Sequence, residues 1–195
     1  ISIFINFITI MIMIYLLFVI LASVSFGGEI KLPFNENSTI VYEGSHPAHK
    51  WQGLSTDVRG GIICSDDECI IQVIVPLESF DSGSAGRDSN MLFSTESHQY
   101  PYVKYYSDSF SIGLIENKEV SIGLSGYIEF HGIKKSMQTE INIDYQDSIL
   151  LGRSVFSISL DDYQIDKPQL LFVPISDEIK LKCNLYFNNK FNKRQ

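Results

Sequence analysis

The residues from Ile179 to Phe187 alternate without a break. Ile179, Leu181, Cys183, Leu185 and Phe187 fall on one side of an extended chain, and Lys180, Lys182, Asn184 and Tyr186 on the other. Successive side chains of a strand point to opposite faces, so this spacing fits a strand with one apolar and one wet face. The pattern recurs. Val120, Ile122, Leu124, Ile128 and Phe130 oppose Ser121, Gly123, Ser125, Tyr127 and Glu129. Met137, Thr139, Ile141, Ile143 and Tyr145 oppose Gln138, Glu140, Asn142 and Asp144. Such strands belong to antiparallel sheets. About eight of them follow one another at the spacing of a sandwich or barrel. Gly132 to Lys135 reads as a hairpin turn, and Leu32 to Thr39 as a polar lead-in. One helix is expected, from Asp88 to Thr95, with Asp88 as its cap and Met91 and Leu92 as buried contacts.

Composition narrows the partners. The chain has 195 residues and a net charge of −8. That balance argues against a nucleic-acid backbone as partner, which needs a basic patch. Basic residues cluster only at the end, where residues 191–195 are expected to be a flexible tail. Ile3 to Ala22 carries no charge, and Ser23-Val24-Ser25 offers small residues for cleavage. Residues 1–25 therefore read as a secretory signal peptide. The other reading is an uncleaved anchor, since ~20 apolar residues can span a bilayer. Residues 26–190 then form one domain, in a periplasmic or secreted protein.

Cysteine placement agrees with export. Cys64 and Cys69 flank Ser65-Asp66-Asp67-Glu68, a polar turn between two strand-like runs. Residues so placed sit within disulfide reach. Cys183 reads as a buried small hydrophobe.

The sequence offers little catalytic chemistry. There is no Gly-x-Ser-x-Gly turn for a nucleophile. Gly83-Ser84-Ala85-Gly86 lacks the following Lys-Ser/Thr of a phosphate loop. His46 and His49 are three apart, a spacing that sends side chains of an extended segment to opposite faces unless Pro47 bends the chain. No metal site, no catalytic residue and no cofactor is assigned. Arg87-Asp88 has two readings. It is either a structural ion pair with a helix cap, or Arg87 reaches a ligand phosphate or carboxylate, for which a guanidinium is well suited.

Four stretches in order carry a family resemblance. Ser45-His46-Pro47-Ala48-His49 precedes Trp51-Gln52-Gly53. A strand-like run from Cys69 to Leu77 ends in a Ser/Gly loop, then Arg87-Asp88-Ser89-Asn90-Met91-Leu92, then Tyr100-Pro101-Tyr102-Val103. Leu124 to Lys135 makes a glycine-bearing hairpin, and Phe156 to Ile165 and Leu170 to Phe187 close the pattern. In this order the chain resembles the YceI-like family of periplasmic lipid-binding proteins. Asn90 departs from that pattern, standing where the family usually has His.

The resemblance implies an all-β fold, an extended eight-stranded antiparallel lipocalin-like β-barrel with one short helix. It also implies a polyisoprenoid or fatty-chain lipid as ligand, membrane contact only for lipid exchange, and no enzymatic role. Apolar faces of closed strands then line a lumen. The expected lining is Val120, Ile122, Leu124, Ile128, Phe130, Ile141, Ile143, Phe156, Ile158, Leu181, Leu185 and Phe187, with Arg87 as head-group candidate. Two other readings stand beside it: a β-sandwich interaction module with a filled core, and an enzyme acting on a lipid head group. Inward residues look alike in a hollow and a filled barrel. The oligomeric state is open, with a dimer among the options.

Overall fold

The computed structural model describes residues 29–118, 120–146, 149–170 and 172–188. The expected leader, residues 1–25, and tail, residues 191–195, lie outside the described residues. Strands dominate: β1 (Ile30–Pro33), β2 (Thr39–His46), β3 (His49–Ser55), β4 (Arg59–Ser65), β5 (Glu68–Pro76), β6 (Tyr102–Ser107), β7 (Phe110–Ser111), β8 (Ser121–Phe130), β9 (Ile133–Tyr145), β10 (Ile149–Ser159), β11 (Gln169–Leu170), β12 (Val173–Pro174) and β13 (Glu178–Asn188). The helices are α1 (Ala85–Ser94) and the single turn α2 (Gly113–Glu116). None of the described helices is long and apolar enough to cross a membrane.

Eleven strands form one strongly curled antiparallel sheet in the order β1-β4-β5-β6-β8-β9-β10-β13-β2-β3, with β7 pairing β5. β11 and β12 make a separate hairpin. Backbone bridges draw the curl together. Phe34 pairs with Phe187, and Leu54 pairs with Asp81 through two hydrogen bonds of 2.9 Å. The strand count exceeds the expected eight because β1, β7, β11 and β12 have too few residues for alternation to show. β1 also replaces part of the expected lead-in. Leu32 is only 1% exposed, in a strand that pairs with β4.

Local chemistry explains the turns. β8 alternates buried and exposed along its length. It ends at His131 and Gly132, both at positive φ (50° and 73°), which is the two-residue turn that matches the twist of a hairpin. The turn thus lies one residue earlier than expected, and Ile133 already pairs with Phe130. Gly132 is required twice over, because a Cβ there would stand 2.7 Å from the Tyr100 ring. In the β4–β5 hairpin the strands run up to Ser65 and Glu68, leaving Asp66 and Asp67 to turn. Cys64 and Cys69 are facing partners, fully buried and joined by a disulfide.

Helix α1 starts three residues before its expected position. Ser84 occupies the N-cap but makes no side-chain capping bond. Asp88 lies inside the first turn, where the positive end of the helix favours an acid, and accepts the Ser82 N–H at 3.2 Å.

Two apolar clusters pack the inside of the barrel. One, at the base, gathers Leu32, Cys64, Cys69, Ile122, Leu150 and Phe187 with Ile112 and Ile115, which α2 and its N-cap bring in. The other packs Leu77, Ile128 and Phe130 against Leu160, Tyr163 and Ile165. Met91, Tyr105 and Ile179 touch both clusters. Residues of both clusters border a space that side chains do not fill.

Candidate functional site

That space is a cavity of about 490 Å³, within the range of pockets that enclose a small organic ligand. The barrel is therefore hollow, and the filled β-sandwich reading does not describe it. The wall is built by inward residues of β2, β5, β6, β8, β9, β10 and β13. Leu124, Ile128, Phe130, Ile141, Phe156, Ile158, Leu181 and Leu185 all lie on it. Ile122, Ile143 and Phe187 do not. They surround a separate void of about 20 Å³ in the base, too tight to admit a chain. Val120 is a correction. It stands just before β8, at the end of the paired span where only its carbonyl still accepts the Ile143 N–H, and is 68% exposed.

Sequence reasoning missed several wall residues. Ile71, Val73 and Val75 of β5 continue the alternation of Cys69, and that period was the available signal. Tyr42, Tyr105 and Met91 also face the cavity, without a comparable signal. Cys183 faces it as well, and burial among apolar atoms pushes its thiol up to about 12. Thr139 and Ser154, on β9 and β10, share a hydrogen bond, with hydroxyls 2.7 Å apart. Burial raises the Tyr42 phenol above its ordinary value, with the Asp88 carboxylate adding to the effect. Burial likewise pushes Tyr105 up to about 12, so both phenols stay neutral. The Tyr105 hydroxyl has no hydrogen-bond partner among the described residues.

The cavity opens at one end, where exposed His49, Gly86, Asn90 and Gln169 form its rim. The β2–β3 hairpin positions the first part of this mouth. Its two-residue turn, Pro47-Ala48, makes His46 and His49 facing partners with ring centres 5.9 Å apart. The two histidines converge through the bend at Pro47, the exception to their divergence in an extended segment, because residues i and i+3 of a two-residue hairpin pair on one face. No third metal-binding group joins them among the described residues. The His49 ring stands 5.3 Å from Trp51. Trp51 in turn lies flat on Gly44, where a Cβ would come within 2.6 Å of the indole.

Helix α1 supplies the other side. Arg87 and Asp88 form no ion pair with each other. They clasp one residue instead: Arg87 donates to the Ser82 carbonyl at 3.2 Å while Asp88 accepts the Ser82 N–H. The guanidinium stacks over Trp51, 5.8 Å from the ring centre. Arg87, Asn90 and Met91 all border the cavity.

Comparison with known proteins places this architecture. The chain matches the YceI-like domain model over residues 34–187. It superposes on a polyisoprenoid-binding domain from Saccharophagus degradans with a TM-score of 0.70 and 15% identity, covering 81% of this chain and 97% of that one. Burkholderia cenocepacia BcnA gives 0.65 at 11% identity, over 78% and 98% of the two chains. The Campylobacter jejuni YCEI protein gives 0.52 at 13%, over 85% and 84%. No curated protein sequence matches the chain. At these identities the structures speak to the fold, while the domain model covers most of the sequence. The chain belongs to the YceI-like family.

Proposed function

We propose that this protein binds an isoprenoid or other long-chain amphiphilic lipid, with its tail in the barrel lumen and its head at the mouth. The observation that carries the reading is the cavity of about 490 Å³, walled by Leu, Ile, Val and Phe side chains and open at one end. Each CH₂ moved from water into such a wall contributes ~0.8 kcal/mol. A long tail therefore supplies most of the affinity and the head needs few contacts. The Saccharophagus degradans neighbour, named for polyisoprenoid binding, supports the same class of ligand. The role is carriage or storage rather than catalysis, in the periplasm or outside the cell.

Lipid exchange needs a bilayer at the mouth. Phe93 on α1 and Phe172 at the β11–β12 turn are 86% and 95% exposed, on two elements that border the opening. Exposed aromatic rings of this kind insert readily at a membrane interface.

The test is mass spectrometry of organic extracts from natively purified protein, followed by titration with isoprenoid alcohols of increasing length. Affinity should rise with length until the lumen is full. Affinity independent of chain length would rule the reading out.

A further inference from the structure

The deep end of the lumen is polar, although the wall above it is not. On β9, β10 and β13 the wall carries Met137, Phe156 and Leu181. One inward position further down, the same strands carry Thr139, Ser154 and Cys183. The position below that is Ile141 on β9 and Gly152 on β10, and both already border the closed void of the base. Ser154 and Cys183 are facing partners, and the Thr139 and Ser154 hydroxyls are 2.7 Å apart. Three polar side chains thus lie side by side on three neighbouring strands, just above the base. Thr139 and Cys183 are only partly buried. On inward-facing residues of a closed wall, the surface left open is surface toward the lumen.

The protons of this row can be counted. The two hydroxyls hold two, and their mutual bond uses one. The other has no acceptor among the described residues. Cys183 adds a weak S–H donor beside it, since burial keeps its thiol protonated. Hydroxyls taken out of water into an apolar wall cost stability unless a partner meets them. Val and Ala would continue the wall in much the same space without that cost.

A free donor at the closed end of an apolar tube calls for an oxygen on whatever is inserted. We infer that the Thr139–Ser154 pair is an inner contact for the leading end of the ligand, and that the lumen selects chains carrying a hydroxyl or carbonyl oxygen at the end remote from the head group. A ligand hydroxyl accepts the free proton and returns its own to a Thr139 or Ser154 lone pair. A methyl end leaves the donor unmet. The inference rests on the lipid-binding reading and extends it from a plain tail to one that is polar at both ends.

The experiment titrates the protein by calorimetry with two series of equal chain lengths, decanoic to hexadecanoic acid and the corresponding ω-hydroxy acids, with farnesol alongside. A carboxylate is too costly to carry into an apolar lumen, so in both series the ω end leads. The quantity read at each length is the affinity of the ω-hydroxy acid relative to the plain acid. It should reach one or more at the length that brings the ω oxygen to the hydroxyl pair. Shorter chains strand that oxygen among apolar side chains and should give a ratio at least about tenfold lower. In the double variant Thr139→Val, Ser154→Ala the ratio at the favoured length should fall by about tenfold or more, because no hydroxyl is left to meet the ligand. Thr139→Ser retains both hydroxyls and should keep the parent ratio.

A ratio well below one at every length in the parent protein would overturn the inference, whatever the variants do. That comparison needs no substitution and stands if the double variant does not fold. A parent ratio preserved in a double variant that melts cooperatively would overturn it as well, since the contact would then lie elsewhere. Binding of the plain acids or of farnesol in either case leaves the lumen reading standing. Failure of both acid series and of farnesol to bind would overturn the two together.

Discussion

The Arg87 guanidinium lies 5.8 Å from the centre of the Trp51 ring, so the first turn of α1 is stacked on the second strand of the β2–β3 hairpin. Trp51 is itself seated on Gly44. The contact and the Arg87 bond to the Ser82 carbonyl hold the helix against the barrel rim. Arg87→Ala should lower stability by about 1–2 kcal/mol, the sum of a stacked cation at a partly exposed site and one charge-assisted hydrogen bond. Urea unfolding measures it. A double-mutant cycle with Trp51→Leu isolates the stacking part, expected at ~0.5–1 kcal/mol. A coupling of zero would show that the two side chains merely lie near each other.

Cys64 and Cys69 close a very short loop, and Cys183 faces the lumen as a free thiol. Alkylation of unfolded, unreduced protein should modify one cysteine, and alkylation after reduction all three. In the folded protein Cys183 should react slowly, because burial holds its thiol protonated. Replacing both Cys64 and Cys69 by Ser should cost roughly 2 kcal/mol on the loop-entropy scale.

The lumen and the base should answer differently to added bulk. Leu181 lines the cavity and is only partly buried, so Leu181→Trp extends into open space. We expect at least a tenfold loss of affinity for a long isoprenoid, with the fold retained. Ile122 borders the void of about 20 Å³. Ile122→Trp should overpack the base and destabilise the protein by ~1–3 kcal/mol. Thermal melts and lipid titration on the two variants separate the outcomes, and equal behaviour would mean that the cavity does not hold the tail.

Phe93 and Phe172 touch too little of the protein to matter for its stability. The double variant Phe93→Ser, Phe172→Ser should melt within about 0.5 kcal/mol of the parent, as surface changes do. Transfer of a fluorescent isoprenoid from vesicles should slow several-fold. Unchanged transfer would remove the bilayer from this face.

Asp177 anchors the corner beside the mouth. It accepts from Ser159 Oγ at 2.5 Å and from the Asp161 N–H at 2.9 Å, and pairs with Lys167 at 3.1 Å. The Ser159 bond first, then the Asp161 N–H and Lys167, hold its carboxyl down from 3.8 to about 2. A depressed carboxylate adds stability that is complete above the unfolded value and lost as pH falls through the folded one. The window is therefore pH 4 to pH 2. The side chain is more than a third exposed, so solvent screens the effect and it should stay below about 1 kcal/mol. Asp177→Asn should flatten the acid limb of the stability curve over that window, as followed by circular dichroism.

The barrel walls were legible because alternation is a local property. A strand with one face in water and one in a core must repeat every two residues, and β8, β9 and β13 do so over long runs. The paired cysteines were legible for the same reason, since a short polar turn sets their partner. Short strands such as β1 and β7 were not, because two to four residues carry no period. Depth along the barrel was equally invisible. Ile122 and Leu124 have the same facing and the same chemistry, yet Ile122 lines only the tight base while Leu124 also borders the open lumen.

The sequence by itself determined an all-β chain with an apolar inner face, a cross-strand cysteine pair and a family resemblance. Only the tertiary structure decided that the barrel is hollow, which end opens, and that His46, His49, Trp51 and Arg87 meet there. The physical reason is separation. Strand facing is set by neighbours two residues away, whereas a cavity is the volume left over when β2, β5, β8, β10 and β13 curl around one axis, and no local pattern records how much of it side chains fill.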